Sequence, residues 1–567
     1  MGYRVVLAWT GAWVLVALAS PGCGASNSGG GSADGGYGGS GGGASVDGSL
    51  PQDAATTDVA PPAPSCGTLP PSGRQIVASM NVAVGGVTSD GYAIYTDTVS
   101  GMTYATLVAG GGAPIPVGMV NRDDSLLYVS GHVVYIATRA GTGKTVGSLS
   151  VWTAASGAST LSTGAYVALA DEAWFASVSS DGSYIAYLDG ATTASATLTL
   201  ATTDGKTKIP LVANVALQGG CDPSVHFGGA SVVASYCIAA APDAGAPPGG
   251  GLEAGAPDAQ AMDASDAAPP PAGPSDAAAA DAQSADGSPT DSGARGAVAT
   301  VASFTSPTFA MVPIATNVNP SVAIDAAGSQ VLVSSPMGLW AYPVAGGART
   351  QIDTTGTAGV FTKDGKSVLY TTSTSALKRL RIGSAPPIAL VASGLSVIRA
   401  LSPDDNWVLA SNKVMGNYHD LYVASATAPG LATALATMPT SALFGDAFTA
   451  DSAYALFFTN VMSDGTGDFY AGASTGAPTK VTANAWQEYA TTGSGGLVND
   501  NYNASGGTSG NGIADIEAFD ATNPTVLKTL VTAADADFYP TATKDAIVYS
   551  WTCAPSASAG LWVLAVR

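Results

Sequence analysis

Charge of positive sign is scarce in this chain of 567 residues. Lys and Arg number 20 against 41 Asp and Glu, which leaves a net charge of −21. Nucleic acid is excluded as a partner on that balance, because phosphates need Lys and Arg to neutralise them. A basic patch for an anionic membrane surface is excluded on the same ground. Histidine is almost absent, with His132, His226 and His419 alone, and none has a His or Cys at ligand spacing. Cysteines number five and form no C-x-x-C pair, so a zinc site is not expected. No P-loop or dinucleotide fingerprint stands in a strand–helix context. The G-x-S-x-G match at Gly38–Gly42 lies in a Gly/Ser-rich stretch, away from the strand-to-helix turn a nucleophile elbow needs. No cofactor is expected.

What is abundant is Gly, Ala, Ser and Thr in short alternating runs. SSDGSYIAYLDG at 179–190 shows the unit. Asp181-Gly182 is turn chemistry, since Gly takes positive φ without penalty. Tyr184, Ala186 and Leu188 then fall on one face and Ile185 and Tyr187 on the other, the period of a strand. Related turns carry Asp90, Asp123, Asp364 with Gly365, Asp404, Asp451 and Asp545. They recur roughly every 40–50 residues, each followed by further alternating runs. Turn propensity accounts for these acids. Four short strands at this period predict an all-β fold, a β-propeller of about eight to ten four-stranded blades; two smaller propellers are the alternative.

The anchors resemble the propeller repeat of the TolB type, a Ser-Pro-Asp-Gly core followed by a strand. Ser402-Pro403-Asp404 with Trp407-Val408-Leu409, and Ser180-Asp181-Gly182 with Ile185-Ala186-Tyr187, carry the resemblance. It covers most of 80–567, although the Pro is missing from nearly every copy. The resemblance implies the fold and an exported setting, without the partners of TolB itself.

Three segments fall outside the repeat. Residues 1–22 read as a signal peptide, with Arg4 and the apolar run 5–19, too short for a comfortable membrane span. The following Cys23 resembles the acylated cysteine of a bacterial lipoprotein; an ordinary secretory signal is the alternative. Residues 23–65 read as a flexible Gly/Ser/Pro/Ala tether. The propeller is expected over 66–567, interrupted at 239–297 by a disordered Ala/Pro/Asp-rich insertion with nine acids and one base. The insertion is expected between the second and third strands of one blade, since each doubling of loop length costs only about 0.6 kcal/mol.

Residues 74–80, RQIVASM, precede the first unit, and the last unit lacks a fourth strand. The first segment is therefore expected to supply the outer strand of the last blade, with Cys66 and Cys553 clasping the closure. Cys221 and Cys237 sit symmetrically about Gly229 and are expected to bond across a hairpin, worth about 3 kcal/mol in the entropic model. Asp464 and Asp468 in SDGTGDFY are the candidate calcium ligands, at a spacing that misses the EF-hand pattern. The polar run 499–515 reads as a long loop and a candidate recognition surface.

These features point to an exported, lipid-anchored scaffold at the cell envelope, probed from an outer-membrane or periplasmic position, that binds a protein, peptide or glycan. The membrane is met through the lipid anchor only. The alternative is an envelope enzyme, a lyase or glycan hydrolase, using acids at the propeller channel. Acids converging with shifted pKa values would favour the enzyme.

Overall fold

Alternation of small β-branched and aromatic side chains leaves each short strand apolar on both faces. One twisted four-stranded sheet cannot bury both, so every sheet needs a neighbour on each side. The structure, a computed structural model, describes residues 73–566 apart from 121–124, 139–146, 154–165, 193–194, 218–222, 229–230, 239–298, 320–321, 385, 413–419, 438–443, 463–464, 474–475, 505–511 and 554–557.

Its strands form antiparallel sheets of four, with two sheets of seven in which one long strand serves two units. Tyr166–Val178 is the fourth strand of one unit and the first of the next, and Thr479–Thr492 does the same further on. Counted this way there are ten blades: 82–119, 125–173, 173–216, 224–318, 322–353, 356–391, 397–436, 444–486, 486–535, and 538–565 completed by 74–78. They are numbered 1 to 10 in that order.

The hydrophobic core closes the ring. Among the described residues there are ten buried clusters, and each straddles one interface between consecutive blades. One joins Val82, Val84 and Tyr95 of blade 1 to Tyr539, Val548 and Leu561 of blade 10, so the last blade packs on the first. Neighbouring first strands also touch, which places them innermost. Alternation sends Ile185 and Tyr187 towards blade 2 and Ala186 and Leu188 towards blade 4. This is one propeller of ten blades, and the alternative of two smaller propellers falls away.

Closure uses the segment expected for it. Arg74–Ala78 pairs antiparallel with Gly560–Ala565 as the fourth strand of blade 10. In blade 4, Ser231–Tyr236 and Ala299–Thr305 are adjacent strands in continuous register, with Tyr236 opposite Thr300. Residues 239–297 therefore connect the second and third strands of that blade; they lie outside the described residues.

Three expectations need correction. In blade 2 the turn between first and second strands is Gly131-His132, because Ser125–Ser130 is itself the first strand. Asp123 precedes that strand and is outside the described residues. The hairpin of blade 4 is centred between residues 229 and 230, because Gly228 opposes Ser231. Cys221 lies outside the described residues, so its place relative to Cys237 is not read from this register. Finally, the two ends of 499–515 are strand: Gly495–Asn503 and Ile513–Asp520 pair as the second and third strands of blade 9, and 505–511 lie outside the described residues.

Candidate functional site

Each blade runs up and down between two rims of the ring. The first-to-second and third-to-fourth turns lie on one rim. The second-to-third connections and the passages between blades lie on the other.

The first rim is uniform. In seven blades a first-to-second turn closes with an amide three residues on donating to a carbonyl, from Gly91 to Thr88, Gly182 to Ser179, Gly328 to Asp325, Gly365 to Thr362, Asp405 to Ser402, Ser452 to Thr449 and Lys544 to Thr541. Each donor residue has positive φ, between 57° and 84°. The repeated Asp serves this turn. Asp181 Oδ1 accepts the Ser179 hydroxyl at 2.7 Å, Asp364 that of Thr362 at 2.7 Å, and Asp451 that of Thr449 at 2.6 Å. Asp404 and Ser402 repeat the bond. Amides two residues on, at Ser183, Lys366, Asn406 and Ala453, bond the same carboxylates. Burial alone would raise Asp181 and Asp404, but these bonds outweigh it and hold both carboxyls low. Asp364 is held low chiefly by the Lys366 amide and Thr362 hydroxyl. Asp90 is exposed in the equivalent turn of blade 1. Asp545 departs from the pattern. It follows Lys544, and its carboxylate takes the hydroxyls of both Thr541 and Thr543.

Consecutive turns also hold one another around this rim. The Ser89 amide donates to Gly131 O at 2.8 Å, Lys363 to Asp405 Oδ2 at 2.8 Å, Asp404 to Ser452 Oγ at 3.1 Å and Asp451 to Gly493 O at 3.2 Å. His132 packs its imidazole over Gly182, where a Cβ would lie 2.3 Å from Cε1. The anchor carboxylates are thus consumed by turn and ring structure. A buried Ser or Thr stands two residues before Asp90, Asp181, Asp364, Asp404 and Asp451, and its recurrence was visible in the sequence.

The opposite rim is irregular. Its connections differ in length from blade to blade, and three consecutive blades clamp the base of theirs with an Asn–Asp pair. Asn412 and Asp420 close the connection of blade 7, Asn460 and Asp468 that of blade 8, and Asn501 and Asp515 that of blade 9, with Nδ2 to carboxylate distances of 2.9, 2.8 and 3.0 Å. Asp468 also pairs with Lys480 at 3.3 Å. Its charge is therefore answered by protein, which disfavours it as a calcium ligand. Asp464 and His419 are outside the described residues. Among the described residues no group of three or more His, Cys, Asp or Glu is arranged to hold a metal ion.

The carboxylates that do come together were not among the expected site residues. Asp500 and Asp515 lie directly opposite each other in blade 9, and Glu517 lies on the same face, opposite Val498. Glu517 and Asp500 are buried. Thr529 Oγ1 donates to Glu517 Oε1 at 2.8 Å and Thr482 Oγ1 to Asp500 Oδ1 at 2.6 Å. Burial, joined by the like charges of Asp500 and Asp515, pushes Glu517 up to about 7 despite the Thr529 bond. Beside them Trp486 and Tyr502 stack at 4.5 Å, with Gly465 against the Trp ring and Gly512 against the Tyr ring. Burial pushes the His226 imidazole down.

A further recurrence went unread in the sequence. Asn214, Asn317, Asn484 and Ala533 all have φ near +55° and sit at register shifts late in the fourth strands of blades 3, 4, 8 and 9. Asn tolerates this left-handed conformation better than other side chains, which explains its choice at such bulges.

The two described cysteines, Cys237 and Cys553, are each disulfide-bonded. Cys23, Cys66 and Cys221 are outside the described residues, so the pairing is not read from the structure.

No family model matches the chain, and no curated protein matches it. Solved structures do, at low identity. The β-propeller domain of the Trilobed protease from Pyrococcus furiosus is 8% identical, over 72% of this chain and 98% of that one, with a TM-score of 0.30. The TolB-type structure from Agrobacterium tumefaciens is 13% identical, over 46% of this chain and 94% of that one, with a TM-score of 0.24. Dipeptidyl peptidase 4 from Porphyromonas gingivalis is 9% identical, over 82% of this chain and 60% of that one, with a TM-score of 0.41. The class is defined by the sheets themselves, a β-propeller.

Proposed function

We propose that this chain is an exported, lipid-anchored propeller that acts as a binding scaffold at the cell envelope, with Cys23 acylated. One observation carries the binding role: the contrast between the two rims. On one, seven blades repeat the same first-to-second turn, and several of these turns bond to the next. The other presents unlike connections on clamped bases, Asn412–Asp420, Asn460–Asp468 and Asn501–Asp515. Loops held on a rigid scaffold are where recognition is usually carried. The partner is a protein, peptide or glycan of the envelope.

A second reading has one observation in its favour. Glu517, held near neutrality beside Asp500 and Asp515, has the property of a proton donor in an acid-catalysed lyase or glycan hydrolase. Its burial and its use by Thr529 weigh against that role.

The test is a pull-down from detergent-solubilised envelope, using the folded region from residue 65 onward. One variant replaces 413–419 and 505–511 with tight turns, and a second alters exposed turn residues on the uniform rim. A partner kept by the second and lost by the first supports the scaffold. No partner, together with turnover in a screen of envelope glycans and peptides, overturns it in favour of the enzyme.

A further inference from the structure

A cavity of about 500 Å³ opens between blades 4 and 5, away from the irregular rim argued above. One wall is Ala310–Val318, the last strand of its sheet, whose outer edge has no strand partner among the described residues. Ile314, Ala315 and Thr316 of this strand line the cavity, facing Tyr342 and Arg349 of blade 5. The Arg349 guanidinium lies 4.1 Å from the centre of the Trp340 ring, and its Nη1 donates to Tyr342 Oη at 3.0 Å. Among the described residues no carboxylate pairs with Arg349. The indole beneath it carries a buried Nε1 that meets no acceptor among the described residues.

A guanidinium stacked on one aromatic ring and hydrogen-bonded to another is fixed in plane and orientation. Only part of its donor fork is used by Tyr342, and the rest is suited to a planar, bidentate acceptor. The ordering of this side chain has already been met by the aromatic contacts, which lowers the cost of binding. A free strand edge beside it offers backbone amides and carbonyls to an extended chain. A sugar would need an open aromatic face to stack on, and the guanidinium covers that of Trp340.

We propose that this groove grips the carboxylate of a peptide laid along the free edge of Ala310–Val318. Arg349 holds the carboxylate, and the backbone around Ile314–Thr316 pairs with the residues before it. The carboxylate is the peptide's C-terminus, since the residues that pair with the edge are those before it.

The test is calorimetric titration of the full chain with three probes: acetyl-Val-Ala-Ile as the free acid, the same peptide as its C-terminal amide, and inorganic phosphate. Acetyl-Val-Ala-Asp-amide separates a side-chain carboxylate from a terminal one. The expected result is saturable binding of the free-acid peptide at least tenfold tighter than either amide. Arg349→Met, which keeps aliphatic cover over Trp340, weakens it at least tenfold. Arg349→Lys, which keeps the charge and loses the fork, falls between, with melting temperature used to show that both variants fold. The amides of 314–316 should gain protection from hydrogen exchange when peptide is bound. Equal binding of acid and amide, no binding, or no effect of either variant overturns the proposal. Phosphate binding as tightly as the acid peptide, without added protection at 314–316, overturns the peptide in favour of a bare anion.

Discussion

Lys378 of blade 6 reaches back to Asp353 of blade 5, with Nζ 2.9 Å from Oδ2, and so ties two neighbouring sheets. Tyr370 Oη donates to the same carboxylate at 3.0 Å, and the Thr355 amide and hydroxyl hold its other oxygen. Burial works to raise Asp353, yet Lys378, Thr355 and Tyr370 outweigh it and lower it to about 2. Removing one partner leaves the other charge unpaired in a half-buried site, so Lys378→Met is expected to cost about 2–3 kcal/mol, measured by chemical denaturation. Its acid signature has a definite sign. A carboxyl depressed below its unfolded value contributes stability above about pH 4, lost as pH falls towards 2. Asp353→Asn should remove that part of the acid dependence.

Glu517 predicts the opposite slope. Its carboxyl is raised to about 7 in the folded chain from 4.5. The folded state then holds more protons than the unfolded state between those values, so stability falls as pH rises from about 4.5 to 7 and levels above. The groups facing it are the carboxylates Asp500 and Asp515 and the hydroxyl of Thr529, none able to neutralise the charge. Glu517→Gln should flatten the melting-temperature profile in this window. An unchanged profile would mean that the cluster does not share a proton there.

The uniform rim makes a comparison between two similar substitutions. Lys544 and Ser452 both occupy the positive-φ place of their turns, at 57° and 65°, where four other blades use Gly. A left-handed conformation costs a non-Gly residue roughly 1 kcal/mol. Lys544 is exposed, and the strain that Lys544→Gly relieves is offset by the greater freedom of Gly in the unfolded chain, so its expected net change is within about 0.5 kcal/mol. Ser452 accepts the Asp404 amide from blade 7, and Ser452→Gly loses that bond with the strain. Its expected net effect is near zero or destabilising by about 1 kcal/mol. Gly182→Ala should be the worst of the three, since its φ is +67° and His132 fills the space.

Much of this architecture was legible in the sequence because it is written in short-range chemistry. Asp181-Gly182 followed by Tyr184–Leu188 specifies a turn and a two-faced strand without reference to anything distant. The ring closure by 74–80 was legible by counting, since one strand was missing at one end and one was spare at the other. The acid group of blade 9 was not. Asp500, Asp515 and Glu517 sit in a run of Asn, Gly and Ser that has loop composition, and only pairing with Leu527–Asp535 and Thr479–Thr492 turns it into buried strand. Asp123 misled for a related reason. Its Asp-Asp-Ser before an apolar run has turn chemistry, but it lies ahead of a first strand whose own turn needs only Gly131-His132.

Closure of the ring by Arg74–Ala78 gives the last prediction. The segment covers the edge of Gly560–Ala565, and Ile76 and Val77 pack on the cluster shared by blades 1 and 10. Gln75 Nε2 adds a bond to Ala559 O at 2.9 Å. A chain beginning at Asn81 would leave that strand edge open and the cluster partly uncovered. An open edge of this kind is a template for pairing with another chain. The truncated chain should therefore unfold at a lower temperature and form dimers or larger species, seen by light scattering coupled to gel filtration. The clasp proposed between Cys66 and Cys553 sharpens the expectation. If these two are bonded, non-reducing peptide mapping finds them in one fragment, and reduction of the full chain moves its melting temperature part of the way towards that of the truncation. Free thiols at both positions, or full stability after loss of 74–80, would mean that the ring is held by its inner strands and cores alone.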